Sequence, residues 1–438
     1  MSVFERAALR LTRKRVAAET ASLAEEANIE KRTGEPMSEV TKPSDPEALS
    51  GSVHLQRFAV DFEYPVHFTE RLFAPENTVL RDTITRFESN RRHRCMVFVD
   101  DGLCAVRPGL IGEIEAYARA HATAIELVMS PLVVAGGEKI KNELFHVEWM
   151  QGLIQEHRID RHAFVIAVGG GAVLDAVGLV AATSHRGIRL IRIPTTVLSQ
   201  NDSGVGVKNS VNLKGAKNFV GTFAPPFAVL NDLTFIDDLP AREKTAGMAE
   251  AVKVALIRDA DFFRWLERNI DTLSLFERSA MATMIRRCAE LHMRQIAHGG
   301  DPFESGSARP LDFGHWAAHK IESLTRNHVR HGEAVAIGIA LDTRYSVLAG
   351  LLRAGLEDRV AALLELLGFR LWHPVLDARA SDGSSPVLQG IAEFREHLGG
   401  ELTITLLEDI GRGVEVHAID ESLVHEAIAW LKARQSAQ

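Results

Sequence analysis

Cysteine is scarce: Cys95, Cys104 and Cys288 are the three in 438 residues, and no two of them form a C-x-x-C pair. So small and odd a number fits a reducing, cytoplasmic setting better than a disulfide framework. Long hydrophobic runs are missing as well, since no stretch of about eighteen uncharged apolar residues occurs, and a membrane span is not expected. Net positive charge is absent: 50 Lys and Arg stand against 58 Asp and Glu, giving −8. That balance argues against a general nucleic-acid or anionic-membrane binder, while local basic pockets for a phosphorylated metabolite remain allowed. No internal repeat is visible. The N-terminus lacks the apolar core of a secretory signal, and the acids from Glu19 to Glu30 count against an organellar transit peptide. Residues 1–50, rich in Pro, Ser, Thr and Glu after Gly34, read as a flexible extension, with Met37 as a second candidate start.

What is present is an ordinary globular composition, 46% hydrophobic and 25% charged, long enough for two or three cores. Alternation in VHLQRFAVDF and YPVHFTERLF predicts paired strands. Strand and helix patterns then alternate. CMVFVDDGL runs into Asp100 and Asp101, a helix spans Leu110 to Ala122, AIELVMSPLVV follows, a helix spans Leu144 to His157, and FVIAV and IRLIRIP are buried strands. Such alternation indicates a parallel sheet. From Ala241 onward the apolar spacing is helical, interrupted by a short strand at Leu402 to Leu407. The expected fold is an α/β, Rossmann-like dinucleotide-binding domain over residues 51–237, followed by an all-α metal- and substrate-binding domain over 238–438. A small-molecule site is expected in the cleft between them.

Three places carry chemistry. Gly169, Gly170 and Gly171 follow a strand and precede a helix, which lets the backbone approach a pyrophosphate at the helix N-terminus. Glu138, Lys141 and Asp175 are further candidate cofactor contacts, and a dinucleotide is the economical ligand; a tight strand-to-helix turn is the plain alternative. Pro194 to Pro226 reads as a long polar loop holding Asp202, Lys208, Asn212, Lys217 and Asn218, donors suited to a phosphate and a polyol. Finally, DFGHWAAHKIESLTRNHVRHGEAV holds His315, His319, His328 and His331 among apolar residues. Imidazoles there, with the Glu250 carboxylate of the apolar segment GMAEAVKVALI, would give a divalent metal about three donors. Lys253 stands three residues beyond Glu250, a charged pair that needs a partner in so apolar a setting.

The ordered motifs IPTTVLSQNDSGVGVKNSVN, KNFVGTFAPP, DLPAREKTAGMAEAVK, FGHWAAH and HGEAVAIG resemble dehydroquinate synthase and the related sugar phosphate cyclases over about residues 95 to 410. The resemblance implies an NAD-dependent metalloenzyme with zinc or cobalt, commonly a homodimer. Its reaction turns a seven-carbon sugar phosphate into a carbocycle by transient oxidation of one alcohol, β-elimination of phosphate, return of the hydride and ring closure. Carried over by position, Glu250, His315 and His331 are the metal ligands. Asp100, Glu138, Lys141, Gly169, Gly170, Gly171, Asp175, Thr195, Thr196 and Lys217 fall on the cofactor side. Asp202 and Lys253 fall on substrate hydroxyls, and Lys208, Asn218 and His319 around the phosphate. Asp202, Lys208, Lys253 and His319 thereby become the catalytic candidates. Arg186 matches an arginine that reaches the neighbouring subunit's site.

Departures from dehydroquinate synthase bear on the substrate. His292 stands where that enzyme has a lysine, and Ala308, beside Arg309, where it has an arginine; these two cations are expected to hold a substrate carboxylate. Asp312 replaces an asparagine, and Glu396 and His397 lie where two lysines are expected. Losing a bidentate arginine clamp disfavours a 2-keto acid phosphate. A neutral ketose phosphate such as sedoheptulose 7-phosphate is the expected substrate, with 3-deoxy-arabino-heptulosonate 7-phosphate as the alternative. A metal-dependent polyol dehydrogenase is the alternative of another class, and would need exchangeable NAD.

Overall fold

The structure, a computed structural model, describes residues 54–299, 303, 310–397 and 400–436. The extension at residues 1–50 and Met37 lie outside the described residues. Seven strands form one sheet: β1 (Val66–Thr69), β2 (His93–Asp100), β3 (Ile125–Leu127), β4 (Leu132–Val134), β5 (Phe164–Gly169), β6 (Arg189–Pro194) and β9 (Ala228–Asp232). Their order is β1-β9-β6-β5-β2-β3, with β4 on a second stretch of β2, and every pairing is parallel. A parallel sheet is covered on both faces, which is why its strands read as continuous apolar runs. Odd-numbered Val97 and Val99 with Ile166 and Val168 meet the helix Leu110–Ala120 on one face; Met96, Phe98, Val165 and Ala167 meet the helices Leu144–Glu156 and α1 (Gly171–Thr183) on the other.

The chain leaves β2 for β3 and β4 on one side and returns to β5 on the other. This reversal opens a crevice beyond the carboxyl ends of β2 and β5, the place where open α/β sheets bind ligands. Asp100 and Gly169 are those two ends.

The helical part is built around α2 (Ala241–Arg258), buried without a break from Ala246 to Ile257. Packed on it are α3 (Arg278–His298) and α5 (His331–Leu348), and α4 (His315–Leu324) packs in turn on α5. Phe262, Phe263, Phe313 and Trp316 fill the core between them, each worth roughly 1.5–3 kcal/mol by burial. Helix α5 approaches closely: a Cβ at Gly332 would lie 1.9 Å from Ala246 O, and one at Gly338 2.0 Å from Gly314 O. No helix among the described residues is long and apolar enough to cross a membrane.

Two sequence expectations need correction. Residues 54–65 contain no strand, and β1 is a short parallel edge strand beside β9 rather than half of a hairpin. The alternating Leu55, Phe58, Val60 and Phe62 are exposed, so their period reflects no packed face. Pro194 to Pro226 is no loop: it holds a π-helical turn, Ser199–Ser203, and the antiparallel hairpin β7 (Lys208–Leu213) and β8 (Ala216–Phe223). Its turn residues Lys214 and Gly215 take positive φ, which the polar composition concealed. The short strand expected near the C-terminus is present, as one arm of a second hairpin, β10 (Ile404–Asp409) with β11 (Arg412–Val416), within the helical domain.

Candidate active site

At the sheet end, β5 passes into α1 through Gly170, an N-cap with no side-chain cap. Uncapped N–H groups at a helix start favour a phosphate. Size is restricted here: a Cβ at Gly169 would lie 3.0 Å from Asp100 Cβ, and one at Gly171 2.6 Å from Ser203 Oγ. Asp100 caps the helix Asp101–Val106, accepting from Gly102 N at 2.8 Å, and burial pushes its carboxyl up. Thr195 N donates to Gly169 O at 3.0 Å. Thr196 Oγ1 and Ser199 Oγ pair at 2.9 Å and open the π-helical turn.

A buried polar knot lies beside it. Lys141 Nζ donates to Asp175 Oδ2 at 2.7 Å and to Asn218 Oδ1 at 2.5 Å. Asn212 Nδ2 donates to Glu138 Oε2 at 2.9 Å, and Asn212 Oδ1 accepts from Asn218 N at 2.9 Å. Thus Glu138, Lys141, Asp175, Asn212 and Asn218 are brought together, and Asn218 joins the cofactor-side residues through its side-chain oxygen. The root of the hairpin is held by Arg192, wholly buried on β6, whose guanidinium donates to Gly206 O, Lys208 O and Asn209 Oδ1, each at 2.7 Å.

At the helical end, Glu250 on α2, His315 at the start of α4 and His331 at the start of α5 present one donor atom each within 4.8 Å of one another. His315 Nε2 and His331 Nε2 both lie 3.7 Å from Glu250 Oε1. That oxygen is buried and accepts no hydrogen bond. Both imidazoles are engaged through their other nitrogen, His315 Nδ1 with Phe313 O at 3.1 Å and His331 Nδ1 with Glu322 Oε2 at 3.0 Å. An orphaned carboxylate oxygen facing two Nε2 atoms, each ring oriented from behind, is a donor set that fits a divalent cation of the zinc or cobalt kind.

The charges agree with that reading. Burial opposes ionisation of Glu250, but Lys253 and His331 outweigh it and hold the carboxyl at about 2. Burial likewise disfavours a charged Lys253, yet Glu250 and Asp202 drive its ammonium up. Lys253 Nζ and Glu250 Oε2 form a buried ion pair. Burial and then Lys253 push His315 well down, while for His331 the Glu322 carboxylate overcomes burial and lifts it to about 10. Glu250 and Glu322 draw positive charge to this point, which a proton on His331 or a divalent cation in its place would supply. A second donor group, His319, Glu322 and His331, also lies within 4.8 Å, but both Glu322 oxygens are already engaged, with Lys217 at 2.6 Å and His331 at 3.0 Å.

Asp202, on the π-helical turn, accepts from His292 Nδ1 of α3 at 2.7 Å, and Asn201 beside it donates to Gly247 O of α2 at 2.9 Å. Despite burial, Lys253 keeps the Asp202 carboxyl down. The His319 ring stacks on His331 at 6.0 Å. Asp312 lies in the turn Pro310–Asp312 before α4 and its charge acts on Lys253. Lys208 begins β7 and is exposed. Arg186 stands apart, exposed at positive φ beyond the far end of α1, whose 13 residues span about 20 Å. Arg309 lies outside the described residues, as does the side chain of His397, the last residue of the helix Gln389–His397.

Glu322 and Arg192 were missed by sequence reasoning. Glu322 had a signal, since it lies seven residues after His315 and three after His319, on one helical face. Arg192 had none beyond being a charge inside an apolar strand.

A parallel sheet with a glycine turn at its switch point is thus linked, through the π-helical turn, to a helical part that carries a carboxylate–imidazole cluster. Residues 131–246 match the 3-dehydroquinate synthase N-terminal family and residues 247–383 the 3-dehydroquinate synthase C-terminal family. The chain belongs to the dehydroquinate synthase-like sugar phosphate cyclases, which are phosphate-eliminating carbon–oxygen lyases. It is similar to 2-epi-5-epi-valiolone synthase from Streptomyces hygroscopicus subsp. jinggangensis 5008, solved with NAD+ and Zn2+ bound, at 28% identity over 86% of this chain and 99% of that one, TM-score 0.75. A 2-deoxy-scyllo-inosose synthase solved with carbaglucose-6-phosphate, NAD+ and Co2+ is 24% identical over 83% of this chain and 96% of that one, TM-score 0.66. NADH-dependent butanol dehydrogenase A from Thermotoga maritima shares the fold alone, at 13% identity over 86% of this chain and 98% of that one, TM-score 0.60.

Proposed function

We propose that this chain is an NAD- and divalent-metal-dependent cyclase acting on a neutral seven-carbon ketose phosphate of the sedoheptulose 7-phosphate type. The observation that carries the substrate choice is the 2.7 Å contact between His292 Nδ1 and Asp202 Oδ1. At the position where a carboxylate-binding lysine is expected, the side chain is committed to an acid of the site. With Glu250 and Asp312 also nearby, a substrate carboxylate would meet negative charge, while a polyol finds acceptors for its hydroxyls. Likeness to the valiolone synthase supports the same reading.

Glu250, His315 and His331 would hold the metal, and Gly169 to Gly171, Asp100, Glu138, Thr195, Thr196 and the Lys141–Asp175 pair the dinucleotide. Bound together, these two groups supply hydride acceptance and Lewis acidity at one secondary alcohol. Asp202, kept ionised by Lys253, accepts from a substrate hydroxyl, and Lys253 donates to the neighbouring oxygen. Lys208, His319 and the Asn218 amide hold the phosphate where its own oxygen can take the adjacent proton, so positioning does much of the work. The assembly is a homodimer in this proposal, with Arg186 serving the partner's site.

The test is phosphate release with NAD and Zn2+ or Co2+ added, comparing sedoheptulose 7-phosphate with 3-deoxy-arabino-heptulosonate 7-phosphate. Two lost charge-assisted contacts of about 1.5–3 kcal/mol each predict a preference for the former of roughly 100-fold or more in kcat/KM. Equal rates, or a preference for the acid, would make the chain a 3-dehydroquinate synthase instead.

A further inference from the structure

We propose that Glu322 is a positioning residue: one of its oxygens sets the His331 imidazole for the metal, and the other ties the β7–β8 hairpin to the metal site. The inference rests on Glu250, His315 and His331 being the metal ligands.

The two imidazoles are oriented unequally. His315 leans on a main-chain carbonyl, Phe313 O, which any sequence could supply. His331 leans on a carboxylate whose side chain is 2% exposed. In this contact Nδ1 donates to the carboxylate, which leaves Nε2, 3.7 Å from Glu250 Oε1, as the ring nitrogen available to a metal. A carboxylate behind a ligating imidazole also raises its basicity, and losing such a partner typically costs 10–100-fold in metal affinity. The other oxygen, Oε1, accepts from Lys217 Nζ at 2.6 Å, and Lys217 lies on β8 next to Asn218 of the Lys141 knot. One carboxylate therefore spans from the cofactor-side hairpin to the metal-side helices.

The two arms make opposite demands. Removing the Glu322 charge weakens His331 as a ligand, whereas removing Lys217 leaves Glu322 free to act on His331 alone. Zn2+ and Co2+ affinities of the full chain, measured by competition with a chromophoric chelator, separate them. Glu322→Gln should bind the ion about 10–100-fold more weakly, Glu322→Asp should fall between it and the parent, and Lys217→Met should stay within about threefold. Hydrogen exchange of residues 208–223 should quicken in both Glu322→Gln and Lys217→Met. Unchanged affinity in Glu322→Gln would overturn the proposal, as would an equal loss in Lys217→Met, which would make Glu322 a salt-bridge partner only. Glu250→Gln separates the underlying reading: if the parent binds one ion and Glu250→Gln loses it, the ligand set stands whatever Glu322 does. A parent that binds no ion, or a Glu250→Gln chain that binds it fully, removes both.

Discussion

Where β5 runs into α1, three consecutive glycines clear space for a ligand, whereas α2 and α4 bury Glu250, Lys253, His315 and Glu322, with the half-buried His331 of α5 at their edge. One end offers main-chain groups and leaves little room for added bulk; the other gathers charged side chains that hold one another ionised. The contrast teaches which perturbation each end should feel. Changes of charge and pH belong to the metal end, and changes of volume to the sheet end.

The larger expected effect lies behind the candidate metal ligands. Asp342 on α5 accepts from Gly314 N at 3.1 Å and Trp316 Nε1 at 2.9 Å, and so fixes the turn that starts α4. Burial pushes its carboxyl up to about 7. The folded chain thus keeps a proton that the unfolded chain has lost above about 4. Stability from this group is complete below about pH 4 and lost as pH rises to about 7, a change of a few kcal/mol. Asp342→Asn should remove that slope: the amide loses one of the two acceptors, a cost that does not vary with pH, and from pH 4.5 to 8 the parent's melting temperature should fall relative to the variant's. Parallel curves would mean that Asp342 is ionised in the fold, and would weaken the contrast.

The smaller effect probes the sheet end. A Cβ at Gly178 would lie 1.9 Å from Asn209 Oδ1, the acceptor of the buried Arg192 guanidinium. Gly178→Ala should therefore lower stability by about 1–3 kcal/mol in denaturant titration. Metal affinity should be unaltered, since no charge changes. A variant that loses metal but not stability would invert the comparison.

Legibility in the sequence followed the same division. The glycine turn, the metal candidates and the helices from Ala241 to Leu348 were all readable, because each is local: a strand followed by small residues, or histidines among apolar residues at helical spacing. What escaped was decided at long range. Glu322 meets Lys217 from 105 residues away, and Arg192 gathers carbonyls that exist as a group only once the π-helical turn has formed. The pattern from Leu55 to Phe62 misled for the complementary reason, its apolar side chains being exposed although they recur.

The most direct measurement is X-ray absorption at the metal edge of the zinc- or cobalt-loaded chain. Convergence of Glu250, His315 and His331 requires one ion per chain, with a first shell of nitrogen and oxygen, two imidazoles and no sulfur, and that shell must be lost in Glu250→Gln. A shell containing sulfur from buried Cys288, or one unaltered by Glu250→Gln, would contradict it.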